Sequence, residues 1–118
     1  MKMRKVIMTI ISVFVIFLLG YGLFSWVNAP GEYDEFAKCL TENGAVMYGT
    51  DWCTYCKKEK DLFGNSFKYI NFNNCDQNRG ECTINGVESY PTWIINGEKY
   101  IGLRQLEELS ELTGCEIR

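Results

Sequence analysis

The chain has 118 residues, 47% of them hydrophobic, and a net charge of −3. That length suits one small domain. It contains no histidine, which removes the commonest general base and the commonest zinc ligand together. All 15 acidic residues and nine of the 12 basic ones lie from Glu32 onward, so that part carries a net charge of −6. Neither nucleic acid nor anionic lipid is expected to bind it, because both reward clustered Lys and Arg.

Residues 1–5 hold Lys2, Arg4 and Lys5, the only charges before Glu32. Residues 6–27 then run 22 positions without a charge. As a helix they would span about 33 Å, against roughly 30 Å of bilayer hydrocarbon. Tyr21 and Trp26 sit toward the far end, where amphipathic aromatics settle at the interface. The positive-inside rule keeps residues 1–5 cytoplasmic and puts residues 28–118 across the membrane, in a bacterial periplasm or cell exterior or a eukaryotic lumen. A cleaved signal peptide is the other reading, with Val27-Asn28-Ala29 near the cut, although Pro30 would follow it. Both readings export the rest of the chain.

Residues 28–32 read as a linker with Pro30 and Gly31, and residues 33–118 as the domain. Tyr33 to Glu42 predicts a helix, with Phe36, Cys39 and Leu40 at i, i+3 and i+4 and Asn43-Gly44 ending it. Ala45 to Tyr48 is a short apolar run that suits a buried strand. A helix is expected from about Cys53 to Phe63, with Thr50 or Asp51 as N-cap and Gly64 as its stop. Tyr69, Ile70 and Phe72 suggest a second strand, and Asn73 to Glu81 a polar loop. Thr92–Ile95 and Glu98–Ile101 predict two strands joined by Asn96-Gly97, a strong hairpin signal. Leu103, Leu106, Leu109 and Leu112 mark a last helix before Gly114. Helices and strands mixed in this order predict an α/β sandwich around one small sheet.

Six cysteines follow the apolar segment: Cys39, Cys53, Cys56, Cys75, Cys82 and Cys115. In an exported domain of this size they read as paired thiols in an oxidising compartment. Spacing alone does not choose among the pairings. Proximity suggests Cys53–Cys56, and a Cys75–Cys82 bridge would staple the polar loop. Cys39 and Cys115 remain, to tie an early helix to the C-terminal end. A domain with so small a core gains from such staples.

Cys53-Thr54-Tyr55-Cys56 carries the chemistry. Two intervening residues let both sulfurs meet across one helical turn. The pair is then a redox couple, a structural staple or a zinc half-site. The zinc reading needs Cys75 and Cys82, whose six-residue gap is loose for a knuckle. Cys53, at the start of a helix, is placed for a thiolate by free N–H groups and the helix dipole. It is the expected nucleophile, and Cys56 the resolving thiol. Lys57 and Lys58 read as a solvated face. Trp52, Tyr55 and Tyr90 are candidates for an apolar rim that meets a partner. A module with all six cysteines in inert bridges is the non-catalytic alternative.

Trp52-Cys53-Thr54-Tyr55-Cys56-Lys57 after a short strand, with Tyr90-Pro91-Thr92 opening the hairpin, resembles the thioredoxin superfamily. The resemblance covers residues 33–118 and implies a thioredoxin-like sandwich. It also implies a cis peptide bond before Pro91, beside the active-site pair, with Tyr90 lining a substrate groove and Gly102 matching the glycine after the hairpin. Phe36-Ala37-Lys38-Cys39-Leu40, Met47-Tyr48-Gly49, Tyr90-Pro91-Thr92-Trp93 and Leu112-Thr113-Gly114-Cys115 resemble one subgroup. This is the thioredoxin-like domain fused to, or partnered with, bacterial homologues of vitamin K epoxide reductase. It implies disulfide exchange with exported cysteine-containing proteins, recharged by a separate quinone-linked membrane protein and needing no bound cofactor or metal. Two departures from the pattern stand out: Met47 stands where thioredoxins bury an acid, and Thr54-Tyr55 where the subgroup usually has proline then histidine.

Overall fold

Side chains alternate across a strand, so four residues suffice to feed two cores. Val46–Gly49 (β1) sends Met47 into the larger core and Val46 and Tyr48 into a smaller one. Thr92–Ile95 (β3) likewise sends Trp93 and Ile95 to the larger core and Ile94 to the smaller. The structure is a computed structural model describing residues 1–27 and 29–118. Asn28, the first residue of the expected linker and part of the signal-peptide reading, lies outside the described residues.

Lys2–Val27 (α1) is a helix of 26 residues, none of them buried. Its mean hydropathy of 2.5 and its length suffice to cross a membrane, and would equally serve a signal sequence. Asp34–Glu42 (α2) follows, its first turn carrying Asp34 and Glu35 where the helix dipole favours acids. Thr54–Phe63 (α3) leads into a 3-10 segment, Gly64–Tyr69. Phe72–Asn74 (β2), Arg79–Ile84 (α4), β3, Glu98–Ile101 (β4) and Leu106–Thr113 (α5) complete the chain. The sheet order is β2-β1-β3-β4. β1 pairs parallel with β2, Met47 beside Phe72, and antiparallel with β3, Met47 beside Trp93. β3 and β4 form the expected hairpin, where Asn96 (φ 52°) and Gly97 (φ 81°) both take the positive φ that a tight turn demands. This is a mixed α/β arrangement with helices flanking a four-stranded sheet.

Three expectations change. The polar stretch 73–81 is no simple loop: it supplies the end of β2 and the start of α4. Periodicity could not reveal α4, because its one large apolar residue, Ile84, is 86% exposed. A disulfide holds the helix instead, turning Cys82 inward against Tyr48 and Cys75. The second strand begins at Phe72, not Tyr69. Tyr69 ends the 3-10 segment, and Ile70 is buried in the larger core. Leu103 precedes α5, which starts at Leu106.

The larger core gathers Phe36 and Leu40 of α2, Phe63 of α3, Leu109 of α5 and Trp93. Phe63 is its hub, with ring centroids 6.1 Å from Phe36 and 6.3 Å from Trp93. Each such side chain contributes roughly 1.5–3 kcal/mol by leaving water. Cys39 is bonded to Cys115, joining α2 to the segment after α5.

Candidate functional site at the start of α3

β1 ends at Gly49, and the turn Thr50-Asp51-Trp52 delivers the chain to α3. The sequence had suggested Thr50 or Asp51 as the cap of this helix, and neither is. The N-cap is Cys53 itself, in an extended conformation (φ −71°, ψ 121°), with its sulfur in the cap acceptor position. The Cys56 N–H donates to Cys53 Sγ over 3.2 Å. Thr50 is fully buried, with Oγ1 unpartnered. The Asp51 carboxylate is taken up by Lys60 Nζ (3.3 Å) and Asn74 Nδ2 (3.0 Å).

Cys53 and Cys56 are free thiols within a single helical turn. Their surroundings differ. Cys53 retains 8% exposure, and Cys56 none. Burial pushes the Cys56 thiol up to about 12, helped by its hydrogen bond with Cys53. The Thr50 backbone and the charge of Lys60 act in the opposite direction. Gly49 makes the close fit possible, for a Cβ there would stand 2.6 Å from Cys56 Sγ.

A stapled loop props the approach to Cys53 from the side of β2. The Cys75 N–H donates to the Gly49 carbonyl (2.8 Å), and Trp52 Nε1 donates to Asp76 Oδ2 (2.8 Å). Cys75 is bonded to Cys82, so these contacts hang on a covalently closed loop. Trp52, 65% exposed, meets the Tyr90 ring edge-on with centroids 6.1 Å apart. The Tyr90–Pro91 peptide bond is cis, Pro91 is buried, and its carbonyl accepts from the Gly102 N–H (2.8 Å). Trp52 and Tyr90 therefore form one rim. Tyr55 is also exposed, but among the described residues its ring is met only by Lys58 Nζ, 5.0 Å from the centroid.

Sequence reasoning missed three polar residues around the pair, Asp76, Glu59 and Lys60, and gave Asp51 only a capping role. Met47, at the position where an acid was sought, is buried in the larger core. The buried acid is Glu59, on α3 rather than on a strand, and fully inaccessible. Its Oε2 accepts from the Arg104 N–H over 2.8 Å. Its Oε1 and Trp93 Nε1 are both left without a full hydrogen bond, though the indole still draws the carboxyl's affinity for protons down. Burial outweighs that pull and raises Glu59 to about 7. The available signal was a charge inside an apolar stripe, since Cys56, Glu59 and Phe63 share one helix face.

The arrangement is that of a dithiol built for exchange: one sulfur at a helix N-terminus, a buried second sulfur behind it, and an aromatic rim alongside. The chain is similar to enzymes of the thiol:disulfide oxidoreductase class. It is 38% identical over 90 residues to thiol-disulfide oxidoreductase LTO1 of Arabidopsis thaliana, covering 69% of this chain and 24% of that protein. It is 34% identical over 90 residues to protein disulfide isomerase-like 2-2 of Oryza sativa subsp. japonica, covering 64% and 24%. It is 33% identical over 90 residues to probable protein disulfide-isomerase A6 of Medicago sativa, covering 64% and 25%. The chain thus spans about a quarter of the length of these relatives. No family model matches it.

Proposed function

We propose that this chain is a membrane-anchored, thioredoxin-like thiol:disulfide oxidoreductase working on exported proteins. The observation that carries the reading is the Cys56 N–H aimed at Cys53 Sγ at the N-terminus of α3. In the oxidising direction the Cys53–Cys56 disulfide is attacked by a client thiolate at Cys53 Sγ. A mixed disulfide forms and Cys56 leaves as a thiol. A second client thiolate then attacks the client sulfur of that bond. The client gains its disulfide, and the enzyme is left with two thiols. Trp52 and Tyr90 are the surface on which the client lies, with Tyr55 at its margin and the buried Pro91 setting the backbone beneath Tyr90.

In this reading α1 holds the domain outside the cytoplasm, with Lys2, Arg4 and Lys5 on the inner side. Reduced Cys53 and Cys56 are reoxidised by a separate membrane protein resembling vitamin K epoxide reductase. The isomerase or reductase direction is the second reading, favoured by relatives named as protein disulfide isomerase-like. The full chain in detergent micelles decides between them by its reduction potential. A value near about −120 mV is that of an oxidant, and one near about −270 mV that of a reductant. In the reducing direction, where Cys53 attacks a client disulfide and Cys56 releases it, Cys56→Ser should accumulate mixed disulfides through Cys53 in cells. If Cys53 stays unreactive to alkylation after mild reduction and traps no client, the exchange reading is wrong and the inert binding module takes its place.

A further inference from the structure

Lys60 stands one turn beyond Cys56 on α3, its i+4 neighbour on the same face. Unlike the exposed Lys57 and Lys58, its side chain is only 26% accessible. Nζ lies 4.2 Å from the centroid of Phe72 and 5.5 Å from that of Phe67. Asp51 Oδ1 holds it at 3.3 Å, while Asn74 fixes the other carboxylate oxygen. Phe72 is also a wall of the Cys56 pocket. The point where a Gly49 Cβ would stand is 2.6 Å from Cys56 Sγ and 3.3 Å from Phe72 Cε2. One aromatic ring therefore carries the ammonium on its face and borders the buried sulfur at its edge.

A buried thiol acts as a nucleophile only after losing its proton, and an isolated charge in such a pocket is costly. Cys56 is faced by Cys53 from the cap of α3, by the Thr50 backbone from the turn, and by Lys60 from α3. Gly49 of β1 and Phe72 of β2 bring no charge. With no histidine in the chain, Lys60 is the cation placed to meet the developing thiolate. We propose that Lys60 is a positioning residue for the resolving step, its ammonium favouring the Cys56 thiolate while Asp51 moderates that effect. The proposal rests on the exchange reading above: Cys56 attacks the mixed disulfide in the reducing direction, and the oxidising direction runs that same step backwards with Cys56 as the leaving thiolate. In the step, Cys56 loses the proton that the departing client sulfur finally takes up, and its thiolate forms the Cys53–Cys56 bond. The Cys53–client bond breaks, and the client sulfur leaves with the electron pair and takes up a proton.

The test uses the full chain in detergent micelles with two readouts. One is the rate at which iodoacetamide alkylates Cys56 at pH 9 in a Cys53→Ser background. The other is single-turnover resolution of a Cys53–glutathione mixed disulfide across pH. Lys60→Met should lower both rates roughly tenfold, equivalent to about one pH unit, the lower end for an opposite charge nearby. Lys60→Arg should stay close to the parent. Asp51→Asn should raise both rates, and Lys60→Met added to it should abolish that gain. Unchanged rates in Lys60→Met would overturn the proposal, as would equal losses in Lys60→Met and Lys60→Arg, which mark a purely structural role. Failure of the parent Cys53 to form any glutathione adduct would instead remove the exchange reading, and the alkylation rates would still decide whether Lys60 governs Cys56.

Discussion

Glu59 offers a quantitative test of how the domain is held together. Its carboxyl is fully buried, and burial raises it from an ordinary 4.5 to about 7. The native state therefore holds this proton over a window in which the unfolded chain has already lost it. As pH rises through that window, the native state loses stability relative to the unfolded one. At about 1.4 kcal/mol per pH unit the loss reaches at most ~3 kcal/mol once both states are ionised. Below 4.5 both states are protonated and the effect vanishes. Glu59→Gln removes the titration but keeps the shape. The amide oxygen can keep the Arg104 N–H bond, and Trp93 Nε1 already lacks a partner in the parent, so the variant's pH-independent penalty is that of a buried NH2 group without an acceptor, about 1–3 kcal/mol. Urea unfolding of the full chain in detergent, at pH 4 and pH 8, isolates the pH-dependent part. The stability gap between parent and variant should change by up to ~3 kcal/mol in favour of Gln at pH 8. Every other titrating group is common to both proteins and cancels. Parallel pH curves would mean that Glu59 ionises normally and that its burial is not maintained.

Three further outcomes follow from the same contacts. Gly49→Ala should overpack the site, since its Cβ would meet Cys56 Sγ and Phe72 Cε2. A loss of about 1–3 kcal/mol in urea unfolding is expected, together with impaired closure of the Cys53–Cys56 disulfide. Asp76→Ala removes the acceptor of Trp52 Nε1. That exposed bond is worth about 0.5–1.5 kcal/mol, so the fold should survive while the Trp52 indole N–H resonance moves and exchanges faster with solvent. An unmoved resonance would refute the tether. Cys39→Ser with Cys115→Ser opens a bridge that spans 76 residues of sequence. The chain-entropy estimate gives about 4–5 kcal/mol, measurable as a lowered urea midpoint, and a midpoint within error of the parent would refute it.

Much of this architecture was legible because its signals are local. Asn96-Gly97 between two short apolar runs dictates a hairpin, since both residues must take positive φ. Phe36 and Leu40 at helical spacing point α2 at the core. The spacing of Cys53 and Cys56 left a redox couple, a staple or a zinc half-site, and it was the neighbouring Trp52 and the Tyr90-Pro91-Thr92 segment that favoured the redox couple. What was not legible depends on groups brought together from distant parts of the chain. α4 has no apolar face of its own and is kept by Cys75–Cys82. The polar loop looked idle in sequence, yet Asn74 and Asp76 are the residues that grip Asp51 and Trp52. Those partners are 23 and 24 positions away, and no periodicity relates them.

The same reasoning explains why the N-cap was misplaced. Thr50 and Asp51 are good caps by residue type, but a cap acts only if its side chain is free to bend back onto the helix. Thr50 is drawn into the core, and Asp51 is held by Lys60 and Asn74. With both committed elsewhere, the acceptor position falls to the next residue with a suitable atom, the sulfur of Cys53. The tertiary contacts that deny the helix an oxygen cap are therefore the ones that put a thiol at its positive end. Freeing Asp51 by Lys60→Met with Asn74→Ala would let the carboxylate compete for that place. With Asp51 as the cap its carboxylate takes the Cys53 or Thr54 N–H, and the Cys56 N–H should leave the sulfur for a backbone carbonyl, visible as a change in its amide chemical shift and slower alkylation of Cys53. An amide shift and an alkylation rate both unchanged from the parent would show that the backbone path from β1, rather than these side-chain commitments, seats the sulfur.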